Sequence, residues 1–365
     1  MQLEWLELRG VRCHHHLEFR PDPGINVLVG PNGAGKTTVL EGMAYLSRLR
    51  SFRGVADEAL VGDGEEAAII RGRFRKGSST VTVEVEIPAE GRRRVLLEGK
   101  RPRRHSDLAS LLPVVTFLPD DLDVVKRGPA ERRAFLDDLA AQLWPAAGAE
   151  QQEYARVVRQ RNALLREDGP RAAADTLDVW DQQLAAAGAA VLARRLQVLD
   201  RCSPGARALY RRIGDGDELL RWSYASRGAG ELDGSVPAGE IARRLRGSLA
   251  ERRRVDLERR TTTVGPHRDD IVFELDGRDV RSRASQGEQR SVALVLRLVA
   301  FDVVEEQFGA PPLLLLDDVF SELDGARAAA VVERLPGGQV MVTTARPEDV
   351  PVEGRTWRVG GGGVS

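Results

Sequence analysis

Residues Gly30-Pro31-Asn32-Gly33-Ala34-Gly35-Lys36-Thr37 constrain the fold of this chain more than any other segment. They stand between an apolar run, Ile25-Asn26-Val27-Leu28-Val29, and a stretch in which Val39, Leu40, Met43, Ala44 and Leu46 recur at helical spacing. A buried strand, a glycine-rich turn and an amphipathic helix in that order predict one unit of an α/β sheet. The eight residues fit Gly-x-x-x-x-Gly-Lys-Ser/Thr. In that pattern glycines let backbone N–H groups curl around phosphate oxygens, and the helix points its positive end at the same place. A cradle for nucleotide phosphates is therefore expected from Gly30 through Thr38, with Lys36 on the terminal phosphates and Thr37 on Mg²⁺. A glycine-rich turn without a ligand is the bland alternative, and the strand and helix on either side weigh against it.

A second segment, Leu313-Leu314-Leu315-Leu316-Asp317-Asp318, reads as a fully buried strand that delivers two carboxylates at its C-terminal end, where parallel α/β sheets bind ligands. Asp317 is expected to hold Mg²⁺. Asp318 either polarises an attacking water or only caps the following helix and tunes the metal shell. The catalytic set read from these segments is Lys36, Asp317 and Asp318.

Between the two segments the pattern changes twice. Val81, Val83, Val85 and Ile87 alternate with Thr82, Glu84 and Glu86, which predicts a small antiparallel sheet with one wet face over 68–97. From Pro129 onward the apolar spacing is helical. A helix over about 177–199 is expected to end at Ser203-Pro204-Gly205, and another covers Gln286 to Phe308. Strand-rich ends around a helical middle imply a discontinuous nucleotide lobe of residues 1–117 and 311–365, interrupted by a helical lobe over 118–310.

Composition sets the class of protein. The 365 residues carry 54 Lys+Arg against 55 Asp+Glu and are 42% hydrophobic, which suits two or three lobes with real cores rather than a disordered chain. No apolar run approaches the ~18–20 residues that span a bilayer, and the N-terminus lacks the order of a signal peptide, so a cytoplasmic protein with no membrane partner is expected. Cys13 and Cys202 cannot form a disulfide framework and no Cys-x-x-Cys occurs, which leaves a zinc site unsupported.

Ser285-Gln286-Gly287-Glu288-Gln289-Arg290 stands at a helix start. Alone it is an ordinary helix cap; together with the phosphate cradle and the Asp-Asp strand it resembles the signature sequence of the ABC/SMC-type ATPases. In that class the signature contacts the γ-phosphate held by a second subunit, which points to Ser285, Gln286, Gly287, Glu288 and Gln289 acting in trans. Ser321-Glu322-Leu323-Asp324 falls where the class has its D-loop, with Ser321 and Asp324 along the dimer interface. More narrowly, the chain resembles the RecF family of bacterial recombination and gap-repair ATPases over nearly its whole length. The likeness rests on Ile25 to Thr38, Leu40-Glu41, Ser51-Phe52-Arg53, Pro119-Asp120-Asp121-Leu122, Arg132-Arg133 with Phe135-Leu136-Asp137, and above all Gly265-Pro266-His267-Arg268-Asp269-Asp270 with Ser285 to Arg290.

That resemblance implies an α/β fold: an ABC-type ATPase head, a P-loop NTPase with an antiparallel β subdomain, carrying an inserted, mainly helical second lobe and no long coiled coil. It further implies ATP and Mg²⁺ as cofactors, an ATP-dependent homodimer clamped on double-stranded and gapped or junction DNA, nucleoid association, and RecR and RecO as partners in loading RecA. Two departures from the transporter-type pattern, Leu118-Pro119-Asp120-Asp121 in place of a Gln and Thr343-Thr344 in place of a His, are consistent with slow hydrolysis, here a weak DNA-stimulated ATPase. They also disfavour the rival reading as a transporter's nucleotide-binding subunit. A long-armed SMC-like machine would need heptads over many turns, and the middle has ordinary helices instead.

The near-zero charge weighs against nucleic acid only as a whole-chain sum. Four lysines leave 50 arginines, several of them clustered. Arg92, Arg93, Arg94, Arg101, Arg103 and Arg104 bracket a hairpin, and Arg156 and Arg159 recur on an insertion helix; these eight are the DNA candidates. Arg243 to Arg260 adds a further basic stretch. Each run is either a solvated face balanced by acids or a phosphate-tracking patch. Sparse aromatics among them favour duplex backbone contact over base stacking. His267 and Arg268 either cap a turn and pair with Asp269 or Asp270, or shape the signature interface. His14-His15-His16 is expected in a solvated loop.

Overall fold

The computed structural model describes all residues except 105–107, 168–173, 215–217 and 336. In chain order the elements are β1 (Gln2–Val11), β2 (His14–Phe19), β3 (Ile25–Val29), α1 (Lys36–Arg48), β4 (Ala67–Lys76), β5 (Ser79–Pro88), β6 (Arg94–Leu97), α2 (Leu108–Leu111) and β7 (Val114–Phe117). A helical run follows: α3 (Asp123–Lys126), α4 (Pro129–Leu143), α5 (Pro145–Glu167) and α6 (Ala174–Ile213). Then come β8 (Leu220–Ala225), α7 (Ala238–Arg259), β9 (Asp270–Leu275), β10 (Arg278–Asp279), α8 (Val280–Arg283) and α9 (Gln286–Phe308). The chain closes with β11 (Leu313–Asp317), α10 (Gly325–Val332), β12 (Val340–Thr344), β13 (Arg355–Gly360) and β14 (Gly363–Val364).

These elements form two compact units, one of Met1–Asp121 with Ala300–Ser365 and one of Leu122–Val299. In the first, a six-stranded sheet runs β14-β13-β3-β12-β11-β7, parallel except for β14. Two of its inner strands, β11 and β12, are buried along their whole length, as parallel strands covered on both faces are. A five-stranded antiparallel sheet, β2-β1-β4-β5-β6, shows the alternation its sequence announces: Val83, Val85 and Ile87 are buried, whereas Thr82, Glu84 and Glu86 are partly exposed. Helix α1 supplies Leu40, Met43 and Leu46 to the core these strands share.

The second unit is helical around a three-stranded sheet, β10-β9-β8. Helix α6 corrects the sequence expectation, because it continues through Pro204 to Ile213. A proline in a helix interior removes one backbone bond and normally ends the element. Here Cys202, Ala206, Leu209, Tyr210 and Ile213 are all buried, so the apolar stripe continues past the proline and its burial offsets the lost bond. The Ser203 hydroxyl donates to the Leu199 carbonyl at 2.7 Å and accepts from the Trp222 indole N–H.

The histidine triplet is the second correction. It forms the start of β2 rather than a loop, with His14 buried and His15 and His16 exposed, because Arg12, at φ 51°, and Cys13 turn the chain directly back along β1.

Candidate functional site

Register in the parallel sheet assembles the site. Asp317, the last residue of β11, lies beside Thr343 of β12, and Thr343 and Thr344 lie beside Leu28 and Val29 of β3, the residues that enter the glycine loop. The Thr37 hydroxyl donates to Asp317 Oδ1 at 3.0 Å, and the Thr343 hydroxyl donates to the same oxygen at 2.6 Å. Lys36 Nζ donates to the carbonyls of Gly30 and Pro31 at 2.7 and 3.1 Å, so the ammonium is held over its own loop. Burial lowers the Lys36 pKa, and the charges of Asp318 and Asp317 oppose that shift.

Two glycines are required by contact. A Cβ on Gly30 would stand 2.4 Å from the Val359 carbonyl of β13. A Cβ on Gly35, which sits at φ 92° immediately before α1, would stand 2.3 Å from His14 Nε2. His14 thus lies against the end of the loop, its Nε2 3.1 Å from the Gly35 carbonyl.

Asp318 occupies the left-handed region at φ 51°, fixed there by its N–H, which reaches the Thr343 hydroxyl at 3.0 Å and carbonyl at 3.1 Å. Its side chain makes no N-cap bond to the short turn that follows. Burial and the neighbouring Asp317 raise its pKa, against the pull of Lys36. Ser321 donates to the Asp318 carbonyl at 2.7 Å, and Asp324 is the N-cap of α10, accepting the Arg327 N–H at 3.0 Å.

In the second unit, Ser285 and Glu288 form a capping box at the start of α9: the Ser285 N–H reaches the Glu288 carboxylate at 2.5 Å, and the Glu288 N–H reaches the Ser285 hydroxyl at 3.2 Å. Gln289 is buried and its amide donates to the carbonyls of Val280, Arg281 and Ala284, which ties α8 to α9. Ser285 and Gln286 are exposed.

The family model for the RecF/RecN/SMC N-terminal domain matches residues 2–359. A DNA replication and repair protein RecF from Acidothermus cellulolyticus is 39% identical over 360 residues, 96% of each chain. Its counterpart from Renibacterium salmoninarum is 38% identical and covers 100% of this chain and 99% of its own. The chain belongs to the RecF family. A solved RecF–ATP structure of the RecFOR pathway superposes with a TM-score of 0.92 at 29% identity, over 100% of this chain and 96% of that one. An SMC head bound to the winged-helix domain of ScpA shares the fold, at 16% identity and a TM-score of 0.56 over 100% and 96% of the two chains. The fold is therefore that of a RecF/SMC-type ATPase head, and no long coiled coil stands among the described residues.

The strings that carry the RecF resemblance in the helical unit are largely bonded to one another. Arg132, almost wholly buried, makes a two-pronged ion pair with Asp270 at 2.7 and 3.0 Å, and Arg133 donates to the Asp269 carbonyl at 2.7 Å. Arg195 clasps Asp137 at 2.7 and 2.8 Å and also donates to the Pro266 carbonyl at 2.8 Å. Arg268 pairs with neither Asp269 nor Asp270; its guanidinium donates to Thr262. His267 Nδ1 lies 2.6 Å from the Tyr154 hydroxyl and Nε2 lies 3.2 Å from the Thr262 carbonyl, which places the ring proton on Nε2. Burial pushes its pKa down to about 4.

The eight DNA candidates divide. Arg93 is committed inward, donating to Tyr45, Leu49 and Asp57; Arg94 pairs with Glu86, and Arg156 with Glu153. Arg92, Arg101, Arg103, Arg104 and Arg159 are exposed and make no ion pair among the described residues. Thr343 and His14 were missed as site residues. The signal for Thr343 is a polar residue at the C-terminal end of an otherwise apolar strand, while His14 has no local signal because its partner, Gly35, reaches it through the fold.

Proposed function

We propose that this chain is an ATP-dependent DNA-binding protein of recombinational repair and replication-fork maintenance, whose ATP-driven dimer clamps duplex DNA near single-strand gaps. The observation that carries the reading is the convergence of Lys36, Thr37, Asp317 and Thr343 at one end of the parallel sheet, in a chain of the RecF family. In this reading residues 1–117 and 311–365 are the nucleotide lobe and 118–310 the lobe that carries the signature.

The residues fit ATP with Mg²⁺. The Thr37 hydroxyl and the Asp317 carboxylate, 3.0 Å apart, are hard oxygen donors of the kind Mg²⁺ takes, and the glycines leave the loop backbone bare toward the phosphates. Bound Mg²⁺ would neutralise phosphate charge at that point. Lys36 exchanges the carbonyls of Gly30 and Pro31 for phosphate oxygens. Thr343 fixes Asp317 from below and holds Asp318 in its left-handed conformation. Asp318, with its raised pKa, is the group that takes a proton from water. In the dimer, Ser285 and Gly287 of one subunit complete the site built on Lys36 of the other, so ATP that binds this interface favours the dimer by the same free energy. Slow hydrolysis then releases DNA, and RecO and RecR join in loading RecA, in keeping with the RecFOR setting of the solved relative.

Sedimentation of the purified protein with and without ATP and Mg²⁺, repeated with plain duplex DNA at rising salt, tests this. The expected result is an ATP-dependent dimer that binds duplex with a steep loss of affinity as salt rises. A protein that stays monomeric with ATP, or ignores duplex at low salt, would overturn it.

A further inference from the structure

In the helical unit, α7 presents Ser248, Arg252, Val255 and Arg259 along one face, and across from them Arg227 and Thr263 complete an open cleft of about 460 Å³. Arg227, Arg252 and Arg259 are exposed, and their guanidinium groups have no hydrogen-bond or ion-pair partner among the described residues. Glu251 is the acid in the lining, so the cleft carries an excess of two positive charges. Other arginines of the same helix have carboxylate partners: Arg243 and Arg244 share Glu240, Arg253 pairs with Asp178 and Asp181, and Arg254 with Glu258.

The walls are fixed by buried bonds. The Arg227 N–H donates to Asp269 at 2.5 Å, and its carbonyl accepts from Gly265 at 3.1 Å. Gly265 and Asp269 both belong to the Gly-Pro-His-Arg-Asp-Asp string, to which the nucleotide site assigns no task. Thr263 is bound through its N–H and hydroxyl to Asp256 of α7 at 2.9 and 2.6 Å, and Asp256 is anchored in turn by the fully buried Arg161 at 2.7 Å. The string therefore builds a rigid support that holds the Arg227 backbone opposite Arg252 and Arg259.

We propose that this cleft is a phosphodiester site, through which the helical unit grips the backbone of nucleic acid. The inference rests on the reading of the chain as a duplex-binding protein and says where part of that binding resides. Three guanidinium groups on two fixed walls suit phosphate oxygens, which they can engage in pairs of parallel hydrogen bonds. Arg252 and Arg259 are spaced roughly 10 Å along the helix, more than one phosphate step of a strand that rises about 3.4 Å per nucleotide. Among the described residues no aromatic ring lines the cleft, so contact is to backbone and independent of sequence.

The test is fluorescence anisotropy with a labelled duplex of about 30 base pairs, in ATP and Mg²⁺, across a salt series. The proteins are wild type, Arg252→Ala/Arg259→Ala, Arg227→Ala, and Arg243→Ala as a control on the same helix. Thermal melts and ATP binding confirm that each variant keeps its fold. The double variant is expected to bind about ten-fold more weakly, with its log–log salt slope reduced by about two, one for each lost phosphate contact. Arg227→Ala loses a smaller part, and the control matches wild type. If wild type binds duplex and the double variant keeps both affinity and slope, the cleft is not the site while the functional reading stands. If wild type binds no duplex under these conditions, that reading falls and this proposal falls with it.

Discussion

The Thr37 hydroxyl and the Asp317 carboxylate, 280 positions apart in the chain, meet at 3.0 Å. One belongs to the first turn of the helix after the glycine loop and the other ends a buried strand, and β12 between β11 and β3 sets their separation. A second hydroxyl, that of Thr343, reaches the same carboxylate oxygen from β12.

Thr343→Val removes that hydroxyl without changing the shape of the side chain. It leaves Asp317 with one donor fewer and the Asp318 N–H with the Thr343 carbonyl alone. The expected cost is about 1–2 kcal/mol of stability by chemical denaturation, with ATP turnover reduced more than ATP affinity. Unchanged turnover would show that the position of Asp317 does not depend on this bond.

Lys36→Met removes the ammonium that the loop carbonyls of Gly30 and Pro31 now hold. ATP affinity and ATP-driven dimerisation are expected to be lost together, read by calorimetry and light scattering. A variant that still dimerises on adding ATP would separate the two and contradict the coupling.

Ser285 has a local role in its capping box and a proposed one across the dimer, and substitution can separate them. Asp is as good an N-cap as Ser, so Ser285→Asp is expected to leave the melting temperature unchanged while its carboxylate repels the incoming phosphate and blocks dimerisation. Ser285→Ala is expected to lose about 1 kcal/mol of stability instead. Mixing Ser285→Asp with Lys36→Met should restore one working site in a heterodimer, and the absence of any restored turnover would count against the trans arrangement.

His267 makes stability depend on pH. Burial pushes its folded pKa down to about 4, below the 6.5 of an imidazole in water, so folding favours the neutral ring. The contribution is fully present above pH 6.5 and is lost as pH falls through 4, at up to about 1.4 kcal/mol per unit. Denaturant midpoints measured across that window should fall more steeply for wild type than for His267→Gln. Parallel curves would show that the ring is not held neutral.

Several elements were legible because their signals are local. The strand, loop and helix around Lys36 follow from apolar periodicity and glycine placement, and α9 begins and ends where its Ser-x-x-Glu cap and apolar stripe place it. The alternation over 81–87 marks a sheet face directly. The misreadings arose where distant packing overrides a local rule. Pro204 breaks an isolated helix, yet α6 continues because the next two turns are buried on the same face. The histidine triplet is polar enough for a loop, yet its first ring is buried against Gly35, a residue the local sequence does not show to be near.

The arginines show most clearly where sequence stops and tertiary structure begins. By itself the sequence determined the family, the phosphate loop, the two-carboxylate strand and a net charge of −1 with 50 arginines. Only the fold decided which of those arginines are neutralised. Arg161 lies in buried ion pairs with Asp181 and Asp256, the buried Arg132 reaches a half-buried Asp270, Arg93 is turned inward, and Arg227, Arg252 and Arg259 are left facing a common cleft. The physical reason is that a guanidinium acts on an outside phosphate only if no internal carboxylate has already claimed it, and distance in space, which the order of residues does not specify, settles that competition.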